Sequence, residues 1–153
     1  MRLGLSGAAV AAAGFFCLPA HATDYGMGSQ FGTSAEAKAM LEKAVGEMKK
    51  DPVAAIDKFN KGDAGFRDRD LYVFCATPDG TTTAHPSMVG RNLKELKDKK
   101  GKPFGAEIFQ VAQEGKLKEV AYMWPRPGGD MPVEKVSYVT RVSGQVCGVG
   151  FYK

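Results

Sequence analysis

The chain carries two histidines, His21 and His85, and three cysteines, Cys17, Cys75 and Cys147. His21 and Cys17 fall in an N-terminal stretch that reads as a removable signal. That leaves one imidazole and two thiols for chemistry. A single imidazole excludes metal sites built on a histidine pair, and neither remaining cysteine stands in zinc-ligand spacing. Covalent c-type haem needs C-x-x-C-H, which is absent. So are the G-x-S-x-G elbow, the G-x-x-x-x-G-K-[ST] phosphate loop and the G-x-G-x-x-G fingerprint. Counting alone does not exclude a serine–histidine–acid triad around His85, but nothing in the sequence sets a nucleophile beside it. No catalytic residue, metal ligand or cofactor is assigned.

The positive features are aromatic and cationic. Tyr72, Phe74, Tyr122, Trp124 and Tyr138 all fall on predicted strands. Each alone reads as core packing, but a buried Tyr O–H or Trp N–H needs a partner, which Phe does not. His85, Arg126 and Lys135 sit at strand ends or in neighbouring turns, where each alone reads as a surface residue. Together they could set cations at the mouth of an aromatic-lined pocket. Such a pocket would hold a small carboxylate by charge-assisted hydrogen bonds and cover its carbon tail. Lys135 and Tyr138 are three residues apart, so strict alternation sends them to opposite faces. Both reach one pocket only if Lys135 precedes the ladder or a bulge intervenes.

The elements that must position these residues follow from periodicity. Thr33 and Glu36 form a capping box before an apolar stripe of Ala37, Met40, Leu41, Ala44, Val45 and Met48, which predicts a helix over about 34–49. Asp51 and Pro52 restart a second helix that Gly62 ends. Strands are expected at about 71–76, 81–85, 119–124, 135–142 and 145–152, with a short helix over about 104–113. Pro78-Asp79-Gly80 and Ser143-Gly144 mark hairpin turns. Five antiparallel strands with helices on one side make an α+β domain.

Residues 1–22 read as a signal peptide: Arg2, an apolar run, then Ala20-His21-Ala22 as a small-x-small cleavage site. The run is too short for a membrane span, and Gly14-Phe15-Phe16 before Cys17 fits a lipoprotein signal poorly. The expectation is an exported, periplasmic protein that does not insert in the membrane after cleavage. Residues 23–32 are Gly-rich and expected to be flexible, with one domain over 33–153. Removing Arg2 lowers the formal charge from +4 to +3. So small a charge does not argue for nucleic acid or a membrane surface, and it suits a small anion. Cys75 and Cys147 form an even pair in an exported chain, which reads as a disulfide, the alternative being two buried free thiols.

From about Thr33 to the C-terminus the chain resembles a single Cache domain of the type 2 class. The resemblance is carried by EAKAMLEKAV, FNKGDAGFRDRDLYVFC, DGTTTAHPSMVGRNL, KDKKGKPF, Tyr122-Met123-Trp124-Pro125, KVSYV and GVGFY, in that order. It implies an extracytoplasmic sensor: a long N-terminal helix on a five- to six-stranded antiparallel PAS-like sheet, with the ligand on the opposite face. It also implies a small organic acid of the acetate, propionate, lactate or pyruvate type. Tyr72, Phe74, His85, Phe104, Tyr122, Trp124, Lys135 and Tyr138 are then the ligand-contact candidates. The PAS-like strand order makes the first and last strands neighbours and sets Cys75 beside Cys147. The chain ends directly after its last strand, so it resembles a free-standing, secreted member that would report through a separate membrane receptor or transporter. The alternative is a ligand-independent interaction protein that docks on such a partner.

Overall fold

The computed structural model describes residues 29–153. The expected signal peptide, its cleavage site and residues 23–28 of the expected flexible stretch lie outside these residues. Residues 29–32 hydrogen-bond to the domain. The Arg69 guanidinium donates to the carbonyls of Ser29 and Phe31, and Gly32 N–H donates to Asp70 at 2.7 Å.

The first helix, α1, runs Ser34–Lys50 and starts as its sequence requires. Thr33 Oγ1 accepts from Glu36 N–H, and the Glu36 carboxylate accepts from Thr33 N–H at 2.7 Å. The second, α2, runs Pro52–Lys61. Asp51 Oδ1 takes both Val53 and Ala54 N–H groups at 3.0 Å, and Gly62 closes the helix at φ 73°, a conformation costly for any residue with a Cβ. The third, α3, runs Phe104–Val111.

Six strands form one antiparallel sheet: β1 (Arg67–Asp68), β2 (Leu71–Ala76), β3 (Thr82–Ala84), β4 (Lys118–Pro125), β5 (Pro132–Val142) and β6 (Gln145–Tyr152). The order is β1-β2-β6-β5-β4, with β3 also paired to β2. Both faces are covered. Leu71, Val73, Cys75, Val142, Cys147 and Val149 pack under α1 and α2 against Leu41, Met48 and Phe59. Tyr72, Phe74, Ala76, Val120, Tyr122, Val139 and Val146 face the other way, under α3 and Leu93. Among the described residues no helix is long and apolar enough to cross a membrane.

Cys75 and Cys147 stand directly opposite each other across β2 and β6 and form a disulfide, with Cα atoms 4.1 Å apart. The bond closes a separation of 72 residues, about 4 kcal/mol of unfolded-chain entropy in the loop-closure account. It lies on the helix-covered face, inside the core.

Two differences from the expected elements matter. β5 begins at Pro132, not 135, because Pro125 and Pro132 open the β4–β5 ladder opposite each other. Lys135 therefore sits inside a regular ladder, paired with Tyr122 and Tyr152, and no bulge separates it from Tyr138. β3 is shorter than expected, and its register on β2 shifts between Cys75 and Ala76. That shift sets Ala84 in the helix-side core while Thr82 lines the opposite face.

Candidate ligand-binding site

Pleating delivers the aromatic residues to one face. Alternate positions of β2 present Tyr72 and Phe74, and alternate positions of β4 present Tyr122 and Trp124. Phe104, the first residue of α3, stacks on Tyr122 with ring centres 4.0 Å apart and meets Trp124 edge-on at 5.3 Å. α3 comes this close because Gly105 lies on the Leu93 carbonyl, where a Cβ could not fit. The glycines of β6 serve the same face. A Cβ at Gly148 would collide with the Phe74 ring, and one at Gly150 with Lys135 Cε and Ser137 Oγ. Their absence of side chain lets Phe74 and Lys135 lie across the strand.

His85 follows β3 and is held from three sides. Asn60 of α2 accepts its backbone N–H and donates to the Thr83 carbonyl at 2.9 Å. Ser87 N–H donates to His85 Nδ1 at 3.1 Å. The ring meets Tyr72 edge-on at 4.9 Å. Burial, then the charges of Lys135 and Arg67, bring its pKa down to about 3. The imidazole is therefore neutral, and with Nδ1 accepting, the proton resides on Nε2 as a donor.

Tyr72, Phe74, His85, Phe104, Tyr122 and Trp124 line a narrow slot, about 300 Å3 including the open solvent at its mouth, together with Thr82 and the aliphatic Met88, Leu93 and Leu96. Tyr72, His85 and Trp124 also face an outer cleft of about 430 Å3, bounded by Ser87, Arg126 and the Pro127–Gly129 turn. They form the waist between the two spaces.

Lys135 lies directly behind the waist, 1 % exposed. Nζ donates to Tyr72 Oη at 2.7 Å and lies 4.1 Å from the Tyr72 ring centre and 5.0 Å from that of Tyr152. Among the described residues no carboxylate comes within salt-bridge distance of it. The nearest influential acid, Asp70, is committed to Gly32 N–H and to Arg126 Nε at 3.3 Å. Burial brings the Lys135 pKa down to about 7, with Asp70 opposing. Burial, then Tyr152, raises the Tyr72 pKa well above its ordinary value, so its hydroxyl stays protonated. Tyr72 Oη accepts from Lys135 and has Tyr152 as a second hydrogen-bond partner, while the Tyr152 hydroxyl donates to the Pro125 carbonyl at 2.8 Å. The Arg126 guanidinium lies over the rings of Phe31, at 4.1 Å, and Tyr152, at 5.1 Å.

Of the eight candidates named from sequence, Tyr72, Phe74, His85, Phe104, Tyr122 and Trp124 line the slot. Lys135 does not line it but donates to Tyr72, which does. Tyr138 is on the wrong face: its hydroxyl pairs with Ser34 Oγ at 2.7 Å and its ring packs near Phe151, 6.0 Å between ring centres, on the helix side. Regular alternation along β5 is the physical reason. Ser137 takes its place, bonded to Tyr122 Oη at 2.8 Å. Tyr152 was also missed, although as the strand partner of Lys135 it shares that residue's face. Thr82 left no sequence signal beyond an ordinary strand threonine.

A PAS-like sheet carries α1 and α2 on one face and, under α3 on the other, an aromatic slot backed by a buried lysine, an arrangement that suits a sensor domain. The family model for single Cache domain 2 matches residues 28–152. The chain belongs to that family. A 71-residue stretch is 31% identical to the methyl-accepting chemotaxis protein McpP of Pseudomonas putida; it covers 45% of this chain and 13% of that protein, so the chain spans only a small part of that relative. A methyl-accepting chemotaxis protein from Vibrio parahaemolyticus superposes with TM-score 0.63 at 25% identity, covering 77% of this chain and 86% of that one. A Cache chemosensory domain described for carboxylic acid recognition superposes with TM-score 0.54, also at 25% identity, over 76% and 85% of the two chains. These relatives are chemoreceptors and sensor domains, not enzymes.

Proposed function

We propose that this domain senses a small organic carboxylate outside the cytoplasm and reports it through a separate membrane partner. The observation that carries the reading is Lys135, a buried amine with no acidic partner among the described residues, placed one hydroxyl away from an aromatic slot. A charge is removed from water at a cost of several kcal/mol unless something compensates it, and a bound carboxylate would do so. At the waist the carboxylate would meet the Tyr72 O–H and the His85 Nε2–H, with Lys135 polarising the tyrosine from behind. Its carbon tail would enter the slot between Phe74 and the Phe104–Tyr122 stack. The carboxylic-acid-recognising Cache neighbour supports the ligand class, and the expected signal peptide supports the compartment. A thermal-shift screen of two- to four-carbon acids on ligand-free protein tests the proposal. Acetate, propionate or a close analogue should raise Tm by several degrees, and Lys135→Ala should remove the response. No shift with any of them would end the carboxylate reading.

A further inference from the structure

The segment that leads into α1 is tied to the wall of the outer cleft at one crossing point. Gly32 N–H donates to Asp70 Oδ1 at 2.7 Å, and Asp70 Oδ2 accepts from Arg126 Nε at 3.3 Å. The Arg126 guanidinium lies over two rings, Phe31 of that segment and Tyr152 at the end of β6. The fit is close, since a Cβ at Gly32 would collide with the Leu71 side chain. On its other side the segment is gripped by Arg69, which donates to the Ser29 and Phe31 carbonyls from a backbone at φ 55°, a conformation costly for a residue with a Cβ. Arg126 is at the same time a wall of the outer cleft, beside Tyr72, His85 and Trp124, whereas Phe31 lines neither cavity. Among the described residues the bond to Asp70 is the only hydrogen bond the Arg126 side chain makes. A guanidinium has further N–H donors beyond Nε, and a carboxylate in the cleft is the acceptor they suit best.

We infer that Arg126 couples occupancy of the cleft to the segment 29–32, through Asp70 and Phe31. This rests on the carboxylate reading above. An anion at the waist engages the spare Arg126 donors and leaves Nε on Asp70, so it does not compete for that carboxylate. The guanidinium, now held from both sides, fixes Asp70 and the Phe31 ring, and the segment docks more tightly. Gly32, Asp70 and Arg126 then form a chain of charge-assisted bonds with the segment at one end and the ligand at the other. Coupling between two sites is reciprocal in binding free energy. A change that loosens the segment must therefore weaken the ligand, even where the altered residue touches neither cavity. Phe31 is such a residue, because it meets the cleft only through Arg126.

The experiment pairs amide hydrogen exchange with calorimetric titration, using acetate and propionate as probes. In wild type saturated with either acid that binds, the Gly32 amide should exchange about fivefold or more slowly than in the free protein. The Val53 and Ala54 amides, capped by Asp51 at the start of α2, should keep their rates and serve as the control for general stabilisation. Phe31→Ala should bind the same acid about fivefold more weakly. Phe31 is 39 % exposed, so its truncation leaves the core intact. Asp70→Asn keeps an acceptor for Gly32 but loses the charge that holds Arg126; it should bind acid while the Gly32 rate no longer responds. A complex shown by calorimetry in which Gly32 slows no more than Val53 and Ala54 would overturn the inference. So would a Phe31→Ala protein with wild-type affinity. If neither these acids nor any other two- to four-carbon acid binds wild type, the carboxylate reading fails and the coupling with it, an outcome distinct from binding without a response at Gly32.

Discussion

Lys135 couples ligand binding to protons in a direction the structure dictates. In the ligand-free fold its pKa is about 7, against an ordinary 10.5, because burial disfavours the ammonium. That gap corresponds to about 5 kcal/mol. An unfolded chain keeps the proton up to about 10.5, so between pH 7 and 10.5 the unfolded state binds more protons, and this lysine makes the free protein more stable as pH rises. Binding runs the other way. A carboxylate near Tyr72 favours the ammonium and moves its pKa back up. Above pH 7 the free protein has lost a proton that the complex regains, so affinity falls as pH rises. Full restoration would give a tenfold loss per pH unit, about a hundredfold between pH 7 and 9, and no dependence from this group below pH 6.

Titration calorimetry in buffers of different ionisation heat measures this directly. Proton uptake should approach one per ligand at pH 8.5 and vanish near pH 6. Lys135→Met supplies the complementary arm. It replaces a buried charge by a flexible apolar chain, removing an ionisation cost of about 4 kcal/mol at pH 7. The ligand-free Tm should rise by several degrees while the ligand response disappears. Proton uptake near zero at pH 8.5, or a Lys135→Met protein that is less stable yet still binds, would refute the reasoning.

Three further outcomes follow from the same geometry. Tyr138→Phe removes the Ser34 hydrogen bond on the helix side, costing about 1 kcal/mol in chemical denaturation while leaving ligand affinity unchanged; a loss of affinity would return Tyr138 to the site. The paired substitution Cys75→Ala with Cys147→Ala should lower unfolding free energy by about 4 kcal/mol, read from urea titration with the m-value fitted separately for each protein, since the freed unfolded chain exposes more surface. His85, with a folded pKa of about 3 against 6.5 for the ordinary imidazole, takes up its proton more readily in the unfolded chain between those values. Stability should therefore drop as pH falls below 6.5, and His85→Gln should flatten that limb of the Tm profile.

Most of the fold is local chemistry and was readable as such. The Thr33–Glu36 box, the α1 stripe and the Asp51-Pro52 restart each depend on residues within a few positions of one another. The alternation that carries Tyr72 with Phe74, and Tyr122 with Trp124, is equally local. Tyr138 is the exception: alternation separates it from Lys135, and only a β5 that starts after Lys135 would bring them to one face. Two prolines facing each other at Pro125 and Pro132 open the ladder earlier, and pairing alone reveals that. The partners of Thr82, Asp70 and Arg126 depend on contacts far apart in sequence. Neither the Thr82 hydroxyl, buried without a hydrogen-bond partner among the described residues, nor the Asp70–Arg126 pair has a local signature.

The two faces of the sheet divide the work unequally. Among the described residues the slot side concentrates what a fold ordinarily avoids: a buried amine without an acidic partner, a neutralised imidazole, an unpaired hydroxyl, and glycines at 148 and 150 inside a strand. The helix side carries dense aliphatic packing and the Cys75–Cys147 bond, immediately behind Phe74 and Gly148 in the β2–β6 ladder. The bond's contribution of about 4 kcal/mol is of the same size as the burial cost of Lys135, about 5 kcal/mol. A domain of this length has a net stability of only about 5–15 kcal/mol. The disulfide between β2 and β6 thus offsets a cost that the neighbouring β5 carries, and relief of the Lys135 cost by an anion becomes a large fraction of the free energy available for a response.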